Sequence, residues 1–145
     1  TPKQIKNYTI SKEDVFISIA GTIGLTRLVP SNLDGANLTE NAAKICNIRN
    51  LKKEYLVFFL NGSIGQRFIS ESIIGTSQPK LALFRLKNLI IPIPPIIEQQ
   101  KIASILISVD KAILKTDDII VKTQQLKMGL MQVLLTGKKR VKTII

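Results

Sequence analysis

Two hydrophobic rhythms run along this chain. Near the start, apolar and polar positions alternate. Asp14 to Ala20 (DVFISIA) is β-branched and alternating, which predicts a strand. Gly21-Thr22-Ile23-Gly24 predicts a tight connection into a second strand, Leu25 to Val29, which Pro30 ends. Ser31 to Gly35 is a loop with a turn at Asp34-Gly35, and Asn41 to Ile48 is a third strand candidate. The opening, Thr1 to Ile10, is polar and reads as irregular. Lys52 to Leu60 reads as a helix with Tyr55, Phe58 and Phe59 toward a core. Asn61-Gly62 interrupts it. Ser63 to Ile74 reads as a second helix with Ile64, Phe68 and Ile69 on one face. Gly75 to Gln78 is a loop, Lys80 to Phe84 is extended or turn-like, and Leu89 to Ile93 reads as a buried strand stopped by Pro92, Pro94 and Pro95.

The second rhythm dominates the end. Ile102, Ile105, Val109, Ala112, Thr116, Ile119, Thr123, Leu126, Leu130 and Val133 alternate spacings of three and four, a heptad seam. Leu106, Ile113, Ile120 and Leu134 widen it, and Thr116 and Thr123 weaken its middle. Glu98 suits the positive end of the helix dipole, and Gly137 fits a C-cap. Such a helix is longer than a head this small is wide, so its seam must face another helix. The expected fold is a mixed α+β globular domain over residues 1–95. One long C-terminal coiled-coil-type helix follows over 96–137, then a basic tail over 138–145.

Charge narrows the partners. The chain carries 21 Lys+Arg against 10 Asp+Glu, a formal +11. The surplus is spread, about +6 before Glu98 and +5 from there on. It favours a polyanion, because neutralising phosphates releases counterions. A single cysteine, Cys46, cannot form an internal disulfide, which points to a reducing, cytoplasmic home. No apolar run approaches the ~18 residues of a membrane span, so no membrane partner is expected.

The absence of histidine excludes Ser-His-Asp and Cys-His chemistry, and one cysteine cannot build a zinc site. Asp117 and Asp118 diverge by roughly 100° on a helix, so they would not share a metal. Asn61-Gly62-Ser63-Ile64-Gly65 follows an apparent helix, so it reads as a helix–helix turn and not as a nucleotide-binding fingerprint. No catalytic site, metal or cofactor is expected in this chain.

The binding candidates lie elsewhere. In Gly75-Thr76-Ser77-Gln78-Pro79-Lys80, Thr76, Ser77 and Gln78 offer hydrogen bonds to phosphates or base edges, and Lys80 adds charge. Thr22 sits in a glycine-flanked turn that either approaches a phosphate or only connects strands. Arg27, Arg85 and Lys87 are further DNA candidates, as are Lys44, Arg49 and Arg67. The cluster Lys138-Lys139-Arg140-Val141-Lys142 is read as a solubilising tail before a DNA contact.

Five segments carry a family likeness: DVFISIAGTIG, GTSQPKLAL, LIIPIPPIIEQQKIASIL, VDKAI and GLMQVLLTGKKRVK. In this order, covering Asp14 to Lys142, they resemble the specificity (S) subunit of type I restriction–modification systems. The resemblance implies two recognition domains joined by two antiparallel helices, each domain reading part of a split duplex DNA target. The helices act as ruler and as dock for the methyltransferase (M) subunit. It also implies adenine methylation with S-adenosylmethionine, and cleavage that consumes ATP with Mg, all on partner subunits. Here only one head and one helix are present, and the head begins close to its DVFISIAGTIG strand. A fragment, a half-subunit and a degenerate paralogue therefore stay open. A lone helix of this kind is expected to pair as an antiparallel homodimer. The alternative is a coiled-coil assembly or decoy protein that engages a methyltransferase without binding DNA. An RNA binder is a weaker fit, since aromatics are only 5%.

Overall fold

The computed structural model describes residues 8–142. The irregular opening expected for Thr1 to Ile10 therefore lies mostly outside the described residues, as does the end of the basic tail. The chain divides into two compact units, Thr1–Ser104 and Ile105–Ile145. The first is mixed α and β.

Its sheet has three antiparallel strands. β1 (Val15–Ser18) lies between β2 (Thr26–Leu28) and β3 (Ala42–Ile45). The register pairs Val15 with Leu28 and Ile45, and Ile17 with Thr26 and Ala43. Because side chains alternate, those residues share one face, and Val15 and Ile17 are fully buried there. Phe16, Arg27 and Lys44 share the other.

Two helices close the core. α1 (Lys53–Asn61) buries Tyr55, Leu56 and Leu60, and α2 (Ser63–Glu71) buries Gly65 and Ile69. The core is thus Val15, Ile17, Leu56, Leu60, Ile69 and Leu81, with Phe59 packed against it. Gly62 belongs to both helix ends, so the helix–helix turn forms as expected. Gly65 lets the helices approach: a Cβ there would stand 2.7 Å from the Leu60 Cα. Asn61 then pairs with β2 as a strand would, donating to the Thr26 carbonyl at 2.9 Å.

Four expectations need correction. The second helix stops at Glu71, and Ile73–Ile74 forms a short strand, β4, paired with β5 (Lys80–Leu81). Of the face drawn through Ile64, Phe68 and Ile69, Ile69 is buried, with Gly65, but Ile64 is 59% exposed. Leu89 to Ile93 is not a strand: Ile90 is 87% exposed and Ile93 57%. Pro92 within it and Pro94 just after it cannot donate to a ladder. Lys80 to Phe84 is extended only through Leu81, and a one-turn helix, α3 (Leu83–Leu86), follows.

The long helix, α4, runs Ile96–Leu134, about 58 Å at 1.5 Å per residue. The Pro95 carbonyl accepts from the Glu98 and Gln99 amides at 2.8 and 3.1 Å and starts it. Gly137, at φ +74, closes it by donating to Leu134 O at 3.2 Å. Its buried residues, Gln99 and Ala103, belong to the first unit. Among the described residues of the second unit no side chain is buried. No helix is long and apolar enough to cross a membrane among the described residues.

Candidate nucleic-acid interface and docking helix

The β4–β5 hairpin presents the loop proposed from sequence. Ile73 pairs with Leu81 and Ile74 with Lys80, so residues 75–79 form the loop between them. Thr76, Ser77, Gln78 and Lys80 are all exposed. Among the described residues none of their side chains has a partner, so their hydrogen-bonding capacity is free for a ligand.

Leu81 anchors this hairpin. Its amide donates to the Ile19 carbonyl at 2.9 Å, just past the end of β1. The Gly21–Gly24 turn begins two residues later, so Thr22 and the loop's base are brought to the same end of the sheet. The turn's own amides are mostly spent: Ile23 N–H goes to Gly21 O and Gly24 N–H to Ser18 O, each at 2.9 Å. Leu25 N–H goes to Ser18 Oγ at 3.0 Å. Gly24 has φ +86, and a Cβ there would meet Ile69 Cγ2 at 2.7 Å. That glycine therefore serves the packing of the turn on α2. Thr22 keeps an exposed side chain, which is what this turn can offer a phosphate.

The cationic candidates separate. Arg27 is exposed on the outer sheet face, opposite Phe16. Lys44, on the same face, is committed: its Nζ donates to Thr9 O at 2.6 Å and lies 3.9 Å from Asp14. Arg85 donates to Glu71 O at 3.3 Å and lies 5.9 Å from the Phe84 ring centre, so its guanidinium is partly occupied by the fold. Lys87 and Arg49 stand on the rim of an apolar cleft of about 550 Å³ floored by Ile17, Leu56 and Leu60. The charges are thus spread over several surfaces. No group of three or more Cys, Asp or Glu able to hold a metal occurs among the described residues.

Sequence reasoning missed Gln99. It is 1% exposed. Its Oε1 accepts from Lys52 N–H at 2.8 Å, and its Nε2 donates to Asn50 O at 3.2 Å and Pro94 O at 2.8 Å. Tyr55 Oη donates to Pro92 O at 3.0 Å beside it. Together they tie the proline segment and the first turns of α4 to the start of α1. A glutamine in an EQQ run looks like a solvated helix start, and only the tertiary fold shows otherwise.

Along α4 the seam residues are open. Ile105, Val109, Ile119 and Leu126 are each more than half exposed, as are Leu114 and Val121 on another side of the helix. Leu130 is nearly so, at 47%. Ile102 and Val133 are half-buried, and Ala112 is exposed. Thr116 and Thr123 donate to Ala112 O and Ile119 O, at 2.9 and 2.8 Å, within their own helix. Their hydroxyls are satisfied locally, so a partner helix can cover them without supplying a hydrogen bond.

Comparison with known proteins agrees with this architecture. The family model described as "Type I restriction modification DNA specificity domain" matches residues 1–123. The chain is similar to the type I restriction enzyme MjaVIII specificity subunit of Methanocaldococcus jannaschii, 33% identical over 94 residues. That match takes in 65% of this chain and 22% of the relative. Among solved structures it resembles the HsdS subunit of Thermoanaerobacter tengcongensis, with a TM-score of 0.64 and 25% identity. There 86% of this chain covers 33% of the other. The chain thus spans a third or less of the length of each.

Proposed function

The chain belongs to the type I restriction modification DNA specificity family, and from that premise we propose that its first unit reads duplex DNA while α4 docks a methyltransferase subunit. The observation that carries the DNA reading is the β4–β5 loop, whose exposed Thr76, Ser77, Gln78 and Lys80 have no partner among the described residues. Thr22 supports it from the neighbouring turn. Arg27, Arg85 and Lys87 lie on other surfaces and add general positive charge only. The chain is a specificity component and not an enzyme. S-adenosylmethionine, Mg and ATP belong in this reading to partner subunits. The open seam of α4 has two claimants, a methyltransferase helix and a second copy of this chain in antiparallel array.

The test is salt-dependent binding to duplex DNA, with and without a methyltransferase subunit. Log affinity should fall linearly with log salt, by about 0.9 per phosphate neutralised. Lys80→Ala should weaken binding to all sequences alike and make the slope shallower by about one. Gln78→Ala should cost about 1–3 kcal/mol on a cognate site and little on random DNA. The scattered cations give a second reading its footing, a coiled-coil adaptor or decoy. It prevails if the chain shows no DNA affinity at low salt in either setting.

A further inference from the structure

The turn that carries Thr22 is pinned from two sides. From within, the buried Ser18 donates from Oγ to the Thr22 carbonyl and accepts from Leu25 N–H at 3.0 Å. From outside comes α2. Gln66, in its first turn, spends both hydrogens of Nε2 on carbonyls, Gly24 O at 3.1 Å and Leu60 O at 2.8 Å. Leu60 O is one of the last carbonyls of α1, which a helix leaves without intrahelical partners. One half-buried side-chain amide thus joins the β1–β2 turn to the α1–α2 turn. Asn61 repeats the device one step along the chain, its Oδ1 accepting from Thr26 N–H at 3.3 Å.

What the turn holds out is a set of donors. The amides of Gly21 and Thr22 have no backbone acceptor among the described residues, and Thr22 is exposed. With the Thr22 hydroxyl they make three N–H and O–H donors in two adjacent residues, a set suited to an oxyanion. Their direction is set by the turn, and the turn is set by Ser18 and Gln66. The β4–β5 loop is held otherwise. Ala82 N–H donates to Ser72 O at 3.0 Å, just past the end of α2, and Leu81 N–H to Ile19 O. Gln66 therefore bears on Thr22 and not on Lys80.

We infer that Gln66 is a positioning residue of the DNA site. It touches no ligand; by tying Gly24 to the end of α1 it aims the donors of Thr22 at one phosphate of the duplex. This rests on reading the first unit as a duplex-DNA binder. Without the pin the donors remain, but ordering them on binding is then taken from the affinity.

A double-mutant cycle on the full chain decides it, with a mixed-sequence DNA duplex as probe at low salt. Gln66→Met keeps the bulk of the side chain and removes both donors, and Thr22→Ala removes the hydroxyl. Each should weaken binding about five- to tenfold, the scale of one hydrogen bond to a charged group. The salt slope should stay that of wild type, because neither side chain neutralises a phosphate. The double variant should bind within about twofold of the weaker single one, whereas Gln66→Met with Lys80→Ala should show the product of the two losses. Amide exchange should quicken at Ile23 and Gly24 and hold steady in β1 and β3. Should Gln66→Met not fold, Gln66→Asn, with an amide one methylene too short to span the two carbonyls, is read the same way. A folded variant that binds within about twofold of wild type, or losses at Gln66 and Thr22 that multiply, overturns the positioning role alone. A wild-type chain that binds no duplex overturns the DNA reading and this inference together.

Discussion

Replacing Gln99 with alanine should unfold the first unit more easily than any surface change nearby. The side chain makes three hydrogen bonds, one accepted from Lys52 N–H and two donated to the Asn50 and Pro94 carbonyls. Truncation strands one donor and two acceptors. A lost bond is worth about 1 kcal/mol net, and a buried group left unpaired about 1–3 kcal/mol. Here Asn50 is exposed and Lys52 and Pro94 are half-buried, so water can reach some of the stranded groups and the cost sits at the lower end. Alanine returns a few tenths of a kcal/mol as the better helix former. The expected net loss is about 2 kcal/mol. Gln99→Glu should be no rescue near neutral pH, since its carboxylate would face two carbonyl oxygens. Protonation would restore a donor, so the folded-state pKa is raised and the deficit shrinks as pH falls through it. Urea unfolding followed by tyrosine fluorescence is the assay. The chain has two tyrosines and no tryptophan, and Tyr55 bonds to Pro92 beside the clamp. Far-UV dichroism would mix this event with changes in α4. A change below about 0.5 kcal/mol, the usual range of a surface substitution, would falsify the claim that Gln99 anchors this joint.

Gly65→Ala should cost about 3 kcal/mol, because its Cβ would press on the α1 backbone at Leu60; a midpoint unchanged in urea would refute the close approach. Tyr55→Phe removes the bond to Pro92 O and should cost about 1 kcal/mol, read by proteolysis in urea because the reporter tyrosine is gone. Glu13→Gln breaks the 3.2 Å pair with Lys53, but that carboxylate is 70% exposed, so stability should move by less than about 0.5 kcal/mol. A larger loss would show that the pair does more than decorate the surface.

The parts of the fold that were legible in the sequence have strong internal periods. β1 alternates, α4 repeats by three and four, and both form where the pattern puts them, within two or three residues at their ends. The parts that failed depend on remote partners. Ile73 and Ile74 continue the apolar pattern of α2, yet they pair with Lys80 and Leu81 across a loop. Leu89 to Ile93 has the composition of a buried strand, but no strand lies beside it and prolines interrupt its donors. Of the candidate site, exposure of the β4–β5 loop could be read from its polar residues. Its position beside the Gly21–Gly24 turn could not, because that rests on one long-range bond from Leu81 to Ile19. The commitments of Lys44 and Arg85 were equally invisible, since a sequence shows a cation without showing what it already holds.

The second unit has no buried residue among those described, and this has a thermodynamic consequence. Helices in water owe most of their stability to packing of an apolar face. Ile, Val and Thr, frequent in α4, are only middling helix formers. The free energy that keeps this segment ordered must then come largely from whatever covers it, growing with the logarithm of partner concentration over Kd. Order in the segment becomes a measure of occupancy. Amide exchange along residues 105–134 should slow in proportion as the partner is added, while exchange in the three-stranded sheet stays where it was.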